Sequence, residues 1–158
     1  MRIALLSNPT SGRGRHAAAD DIALRVLTEA GHEVLHVRGS SYEQTRRAGR
    51  TLLGDGPHRN IEALVVVGGD GMVHLGVDIV ATTGVPLGIV ATGTGNDIAR
   101  HFNLPSRDAE ASARLINQAL SGEGAITAVD AIYASRPDGT LLAPQRRWSL
   151  AVVSAGVD

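Results

Sequence analysis

The sequence predicts an α/β domain built on a parallel sheet with helices packed around it, in the manner of dinucleotide-binding folds. Three observations point there. Short β-branched runs alternate with longer amphipathic segments, as a helix-covered parallel sheet requires. One run, Ala63-Leu64-Val65-Val66-Val67, is continuously apolar, the pattern of a strand buried on both faces. Glycine-rich turns follow the expected first, third and fourth strands, where a chain leaving a strand must turn into a helix.

The elements follow in order. Arg2 to Ser7 reads as the first strand, and Asn8 to Gly14 as a turn-rich loop. Ala18, Ile22, Val26 and Ala30 recur at spacings of four and predict one face of a helix, which Gly31 ends. Glu33 to Arg38 reads as the second strand, and Tyr42 to Leu53 as a helix opened by Ser40 or Ser41. After the loop at Gly54 to Pro57 comes the buried strand, ending in Gly68-Gly69-Asp70-Gly71, and then a helix from Met72 to Ala81. Pro86 to Val90 is the next strand, followed by Ala91 to Asp97 as loop and Ile98 to Phe102 as a short helix. A last helix starts at Pro105-Ser106, turns Leu115, Ile116, Ala119 and Leu120 to the core, and stops at Gly122. Beyond Ala125 the pattern becomes alternating, over Ile126 to Ala134 and Arg147 to Ser154, with a turn at Pro137 to Thr140. That is the signature of antiparallel strands. The expected organisation is therefore a nucleotide-binding domain over 1–124, and the beginning of a truncated β-sandwich domain over 125–158.

Composition narrows the chemistry. The chain of 158 residues has 43% hydrophobic residues, enough for one substantial core, and a net charge of −1, which offers no global attraction to nucleic acid. No cysteine is present, so disulfides and thiolate chemistry are excluded. All 15 basic residues are arginine, which excludes both a lysine-dependent phosphate loop and a pyridoxal phosphate Schiff base. The apolar stretch before Ser7 is too short for a signal peptide, and no apolar run approaches the roughly 18 residues of a membrane span. The expected location is cytoplasmic, with at most a transient, peripheral membrane contact.

In an open parallel sheet, ligands bind outside the carboxyl ends of the strands. Three glycine loops fall on that edge: 8–14, 68–71 and 93–96. Glycines let backbone N–H groups approach an anion closely, and each following helix adds its positive dipole end. Together they favour a polyphosphate ligand. Asp70, flanked by glycines, has two readings: an N-cap for the helix that follows, or a carboxylate beside a phosphoryl group. A glycine on each side favours the second. The first loop also fits a dinucleotide fingerprint loosely, with Gly12-Arg13-Gly14-Arg15-His16-Ala17, and Arg38 is then positioned for a 2′-phosphate. However, Asn8 to Ser11 intervene between the strand and the first glycine, which makes an NADP-binding module the weaker alternative. The six histidines show no metal-ligand spacing. Trp148 is expected to be a packing residue.

Asn8-Pro9-Thr10-Ser11-Gly12, Gly68-Gly69-Asp70-Gly71 and Pro86-Leu87-Gly88-Ile89-Val90-Ala91-Thr92-Gly93-Thr94-Gly95-Asn96-Asp97-Ile98-Ala99-Arg100 resemble the three signature blocks of the diacylglycerol kinase catalytic family. That family includes bacterial lipid kinases and sphingosine kinases, with NAD kinases and phosphofructokinases as more distant relatives. The third block separates this sequence from NAD kinases, which share the second. The resemblance implies an ATP-dependent, Mg²⁺-dependent kinase acting on a lipid hydroxyl such as that of diacylglycerol, the chain being the ATP-binding N-terminal part and inactive alone. NAD or a sphingoid base are the alternative acceptors. It implies nucleotide contacts from Asn8, Pro9, Thr10, Ser11, Gly12 and Ser40, a phosphate cradle from Gly68, Gly69, Gly71 and Met72 around catalytic Asp70, and further contacts from Thr94, Gly95 and Asn96. Arg13 or Arg15 is implied as the substitute for a lysine found in some relatives. Four positions depart from the family pattern: Met72 replaces a threonine, His74-Leu75 replaces Asn-Glu, and Ala91 replaces a common proline. The resemblance also implies a further acidic residue and a metal site in a second domain, of which Val157-Asp158 resembles the start. A homodimer is compatible with this reading.

Overall fold

The computed structural model describes residues 1–8, 15–54, 61–134 and 148–150, with backbone only for 15–17. Eleven elements follow one another: β1 (Arg2–Ser7), α1 (Arg15–Glu29), β2 (Glu33–Arg38), α2 (Tyr42–Leu53), β3 (Ala63–Gly68), α3 (Asp70–Val80), β4 (Leu87–Ala91), α4 (Asp97–His101), α5 (Ala109–Leu120), β5 (Ile132–Tyr133) and β6 (Trp148–Ser149). The first four strands form one parallel sheet in the order β2-β1-β3-β4, as the alternating pattern predicts. All six residues of β3 are buried.

Strand alternation divides the interior into two cores. Ala4 and Leu6 of β1, with Leu64 and Val66 of β3, pack beneath α2 and α3. Ile3 and Leu5, with Ala63, Val65 and Val67, pack beneath α1 and α5. Successive strand residues point to opposite faces, so the register Ile3↔Ala63, Ala4↔Leu64 puts each pair in the same core. The helix leaving β1 covers one face and the helix leaving β3 covers the other. The strand order therefore reverses between β1 and β3, which opens a crevice at their carboxyl ends.

Local signals set most boundaries. Ser41 caps α2 by accepting the Gln44 N–H, and Asp108 caps α5 by accepting the Ala111 N–H. Gly31, at φ 87°, ends α1, with the His32 N–H bonded to the Leu27 carbonyl.

The structure corrects four details. The core face of α1 is Ala19, Ala23, Val26 and Leu27, while Ala18 and Ala30 are exposed. A strict spacing of four drifts by about 40° per step on a helix of 3.6 residues per turn, so a buried stripe must mix threes and fours. In α5, Ser112, Ala113 and Ile116 are buried, while Leu115 is 38% exposed, one position off that stripe. The helix also starts later than Pro105: Ser106 pairs with Ala91 as an extended bridge, and the Arg107 N–H bonds the Ala91 carbonyl at 2.8 Å. Finally, the alternating stretch from Ile126 forms a strand only at Ile132–Tyr133, paired antiparallel with Trp148–Ser149. Ile126 and Val129 are exposed, because alternation specifies a face but a strand needs a partner. The turn at 137–140 lies outside the described residues. Trp148 packs its ring on Tyr133 at 4.9 Å and joins the α2/α3 core, as a packing residue should. Among the described residues, no helix is long and apolar enough to cross a membrane.

Candidate functional site

Two of the glycine loops lock together at the sheet edge. The Thr92 N–H donates to the Gly68 carbonyl at 2.9 Å, extending the β3–β4 pairing one step beyond the strands. Beyond that point the backbones touch. A Cβ on Gly93 would lie 2.5 Å from Gly69 Cα and 2.8 Å from Asn96 Oδ1. Backbone on one side and a buried side chain on the other leave nothing free to move, so position 93 requires glycine.

Asp70 opens α3 without capping it. The N-cap is Gly69, which makes no side-chain bond, and the Met72 and Val73 N–H groups turn onto the Gly69 carbonyl. The Asp70 carboxylate reaches across to the other loop, where Oδ1 accepts the Ile98 N–H at 3.1 Å. It thus caps α4, satisfying a donor at the start of a helix from another part of the chain. Oδ2 has no hydrogen-bond partner among the described residues and borders Gly95, whose Cβ, if present, would lie 3.2 Å away. The same position would lie 3.7 Å from Asp97 Oδ2, so two carboxylates flank the bare Gly95 backbone. Asp97 is exposed and paired with Arg100. Its place opposite Asp70 escaped the sequence reading. The available signal was an acidic residue directly following the third glycine loop.

The other expected site residues fall into three groups. Gly68, Gly69, Gly71, Thr94 and Gly95 lie on this edge, with Gly71, Thr94 and Gly95 exposed. Met72 and Asn96 turn inward. The Met72 side chain is 6% exposed and folds under Gly68, where a Cβ would meet Met72 Cγ at 2.5 Å. Asn96 is 2% exposed in a left-handed conformation, and its Nδ2 donates to Ser106 Oγ at 2.9 Å. Its role in the fold is to hold the third loop against the Ser106 bridge. Leu75, at the position of a family glutamate, is fully buried in the α2/α3 core. Asn8 is half-buried at the end of β1. Ser40 is on the same edge beyond β2, because the Gly39 N–H bonds the Ser7 carbonyl, and the Ser40 hydroxyl donates to Gln44 Oε1 at 2.6 Å. Pro9, Thr10, Ser11, Gly12 and Arg13 lie outside the described residues, as does the side chain of Arg15.

A second polar cluster sits under the β1–β2 end of the edge. Ser7 Oγ donates to Asp20 Oδ2 at 2.7 Å, and His36 Nε2 lies 3.4 Å from the same hydroxyl. Arg38 approaches Asp20 at 3.4 Å and Asp21 at 2.5 Å. The Asp20 side chain is wholly buried, and its Oδ1 has no partner among the described residues. Burial holds the His36 imidazole below its ordinary pKa, outweighing the opposing pull of Asp20. The hydrogen bond that its guanidinium donates to Asp21 raises the Arg38 pKa. With both carboxylates on its guanidinium, Arg38 is poorly suited to a 2′-phosphate, which would face Asp21 directly. This geometry counts against the NADP alternative.

The diacylglycerol kinase catalytic domain family matches residues 2–132. A diacylglycerol kinase of Mycobacterium tuberculosis is 35% identical over 115 residues, which cover 73% of this chain and 36% of that protein. One from Staphylococcus aureus is 31% identical over 108 residues, covering 66% of this chain and 33% of that protein. The chain thus spans about a third of the length of these relatives. A diacylglycerol kinase crystal structure from Bacillus anthracis superposes with a TM-score of 0.58 at 22% identity, over 74% of this chain and 39% of the other, and so shares the fold. On the strength of the match over 2–132, the chain belongs to the diacylglycerol kinase catalytic domain family.

Proposed function

We propose that this chain supplies the ATP-binding part of a kinase that phosphorylates a lipid hydroxyl, with diacylglycerol the favoured acceptor. The observation that carries the reading is Asp70, held by one oxygen across two interlocked glycine loops and, among the described residues, unbonded at the other. Its position is at the carboxyl edge of β3, beside the crevice between β1 and β3. In the reaction, the acceptor oxygen attacks the γ-phosphorus and a new O–P bond forms. The bond between that phosphorus and the bridging oxygen breaks, releasing ADP, and Asp70 takes the hydroxyl proton. Phosphoryl transfer depends mainly on positioning and charge neutralisation, which suits loops whose backbone is fixed by mutual contact.

Mg²⁺ fits this arrangement. The ion is commonly held by one or two carboxylates together with substrate phosphates, and Asp97, across Gly95 from Asp70, would supply one. When bound, it neutralises charge on the phosphates. Residues 1–124 are proposed to form the nucleotide-binding domain and residue 125 to open a β-rich second one, consistent with the antiparallel β5–β6 pair following the parallel sheet. The diacylglycerol kinases among its relatives support diacylglycerol over NAD or a sphingoid base as the acceptor.

The test is transfer of labelled γ-phosphate from ATP to diacylglycerol, sphingosine and NAD offered in parallel to the intact protein. Transfer to diacylglycerol above the other two is the expected result. A thermal-shift series with ATP, ADP, NAD and NADPH, each with and without Mg²⁺, checks the nucleotide site separately, because a ligand that binds only the folded state raises stability. Stabilisation by NADPH alone overturns the kinase reading.

A further inference from the structure

Nine arginine side chains are described, and seven of them lie within ion-pair distance of a carboxylate. The two without one are Arg47, exposed midway along α2, and Arg107. Arg107 is held at the ligand edge by two bonds. Its N–H donates to the Ala91 carbonyl at 2.8 Å, and its guanidinium Nη2 donates to the Thr94 carbonyl at 2.9 Å. Its backbone sits at φ 61°, a region unfavourable for a residue with a long side chain. Strain of this kind concentrates where a side chain must be aimed at a ligand. Here it accompanies the turn that brings the guanidinium back over the third loop.

Thr94 lies between Gly93, which touches Gly69, and Gly95, which borders Asp70 Oδ2. A guanidinium on the Thr94 carbonyl is therefore a residue away from each close contact. It carries five N–H donors, of which one is engaged among the described residues. Asp97 is already paired with Arg100, whereas Asp70 has no basic side-chain partner among the described residues, on an edge proposed to bind phosphates. The chain has no lysine to serve that edge.

We propose that Arg107 is a phosphate-binding residue, tethered by one donor to Thr94 and offering its remaining donors to the polyphosphate of the nucleotide. The assignment deepens the kinase reading and rests on it for the identity of the ligand. Arginine suits the task because its planar fork matches two phosphate oxygens at once.

The experiment measures binding of ATP, ADP, adenosine and inorganic triphosphate to the chain by calorimetry, for the wild type, Arg107→Gln and Arg107→Lys. Glutamine keeps an N–H donor that can serve the Thr94 carbonyl while removing the charge and most of the donors. Arg107→Gln should lose about tenfold in affinity for ATP and triphosphate, as expected for one charge-assisted hydrogen bond. Adenosine affinity should not change, and Arg107→Lys should recover part of the loss. Unchanged ATP and triphosphate binding in Arg107→Gln overturns the proposal. An equal loss for adenosine also overturns it, since that marks a clamp on the loop rather than a phosphate contact. Vesicles containing phosphatidylglycerol form the last arm: a loss confined to vesicle binding assigns Arg107 to a lipid headgroup and overturns the nucleotide contact. Wild-type binding of triphosphate without preference for ATP defeats the kinase reading and leaves the arginine assignment standing. Binding of neither defeats both.

Discussion

Helix α3 carries an aspartate near each end, and the two are used in opposite ways. Asp78 is wholly removed from water and held by Arg46 Nε at 2.8 Å and Arg50 Nη2 at 3.3 Å, both from α2. Asp70, two turns earlier, makes one backbone hydrogen bond among the described residues, with its second oxygen beside Gly95 bonded to none of them. At 1.5 Å rise per residue, about 12 Å of helix separates them. A buried carboxylate must be paired because its desolvation cost is otherwise uncompensated, and pairing commits it to joining α2 to α3. A carboxylate at the crevice can hold its charge in contact with water and keep an oxygen ready for a ligand. The comparison separates charge that builds the fold from charge that remains available for chemistry.

Replacing the two residues should therefore give opposite phenotypes. Asp70→Asn is expected to lower turnover in the intact protein by about 10³-fold, within the range for removal of a general base. Folding should be nearly unaffected, because the amide oxygen still accepts the Ile98 N–H. Steady-state transfer rates beside urea unfolding would reveal the split. Near-normal turnover would remove Asp70 from the chemistry. Asp78→Asn should reverse the pattern, costing about 3 kcal/mol of stability by leaving Arg46 and Arg50 without their charge partner. A urea midpoint equal to wild type would show that α2 and α3 are held mainly by their apolar contacts.

A smaller effect is expected between these extremes. Gly93→Ala forces a methyl group to within 2.5 Å of Gly69 Cα, so the two loops must separate. Overpacking of this kind costs about 1–3 kcal/mol. Because the strain falls on the loop carrying Thr94 and the loop carrying Asp70, ATP affinity should drop along with stability. Thermal denaturation with and without ATP measures both. A variant with wild-type melting and an unchanged ATP-induced shift would mean that the loops are not locked.

The contrast also explains what the sequence disclosed. The four parallel strands, the glycine loops and Asp70 were legible because each depends on residues close together in the chain: an apolar run, a turn, a carboxylate between glycines. The partners were not. Nothing local states that Asp70 caps α4 instead of its own helix, since Ile98 is 28 residues away. Asn96 belongs to a glycine-rich block and so read as a ligand contact. Its burial depends on Ser106, which the sequence suggested was the start of a helix. Asp20 was hidden for a different reason. It occupies the buried stripe of α1, and a stripe traced through Ala18 and Ile22 leaves it looking solvated.

That buried cluster yields the smallest effect and the one most easily confused with others. His36 faces Ser7 and Asp20 across the β1–β2 edge, with Arg38 and Asp21 beside it. Burial holds its folded-state pKa below the ordinary value near 6.5, so the fold favours the neutral ring. The unfolded chain then binds more protons than the native state between the lowered pKa and about 6.5. Its contribution to stability is present above that window and is lost as pH falls through it. A decline in the urea midpoint from pH 7.5 to 5.5 is expected. His36→Gln isolates the contribution, because glutamine retains a polar contact to Ser7 without titrating. The variant should show a flatter pH profile than wild type over the same interval. Parallel profiles would mean that Asp20 compensates the imidazolium fully, making the carboxylate charge, rather than burial, the dominant influence on the ring.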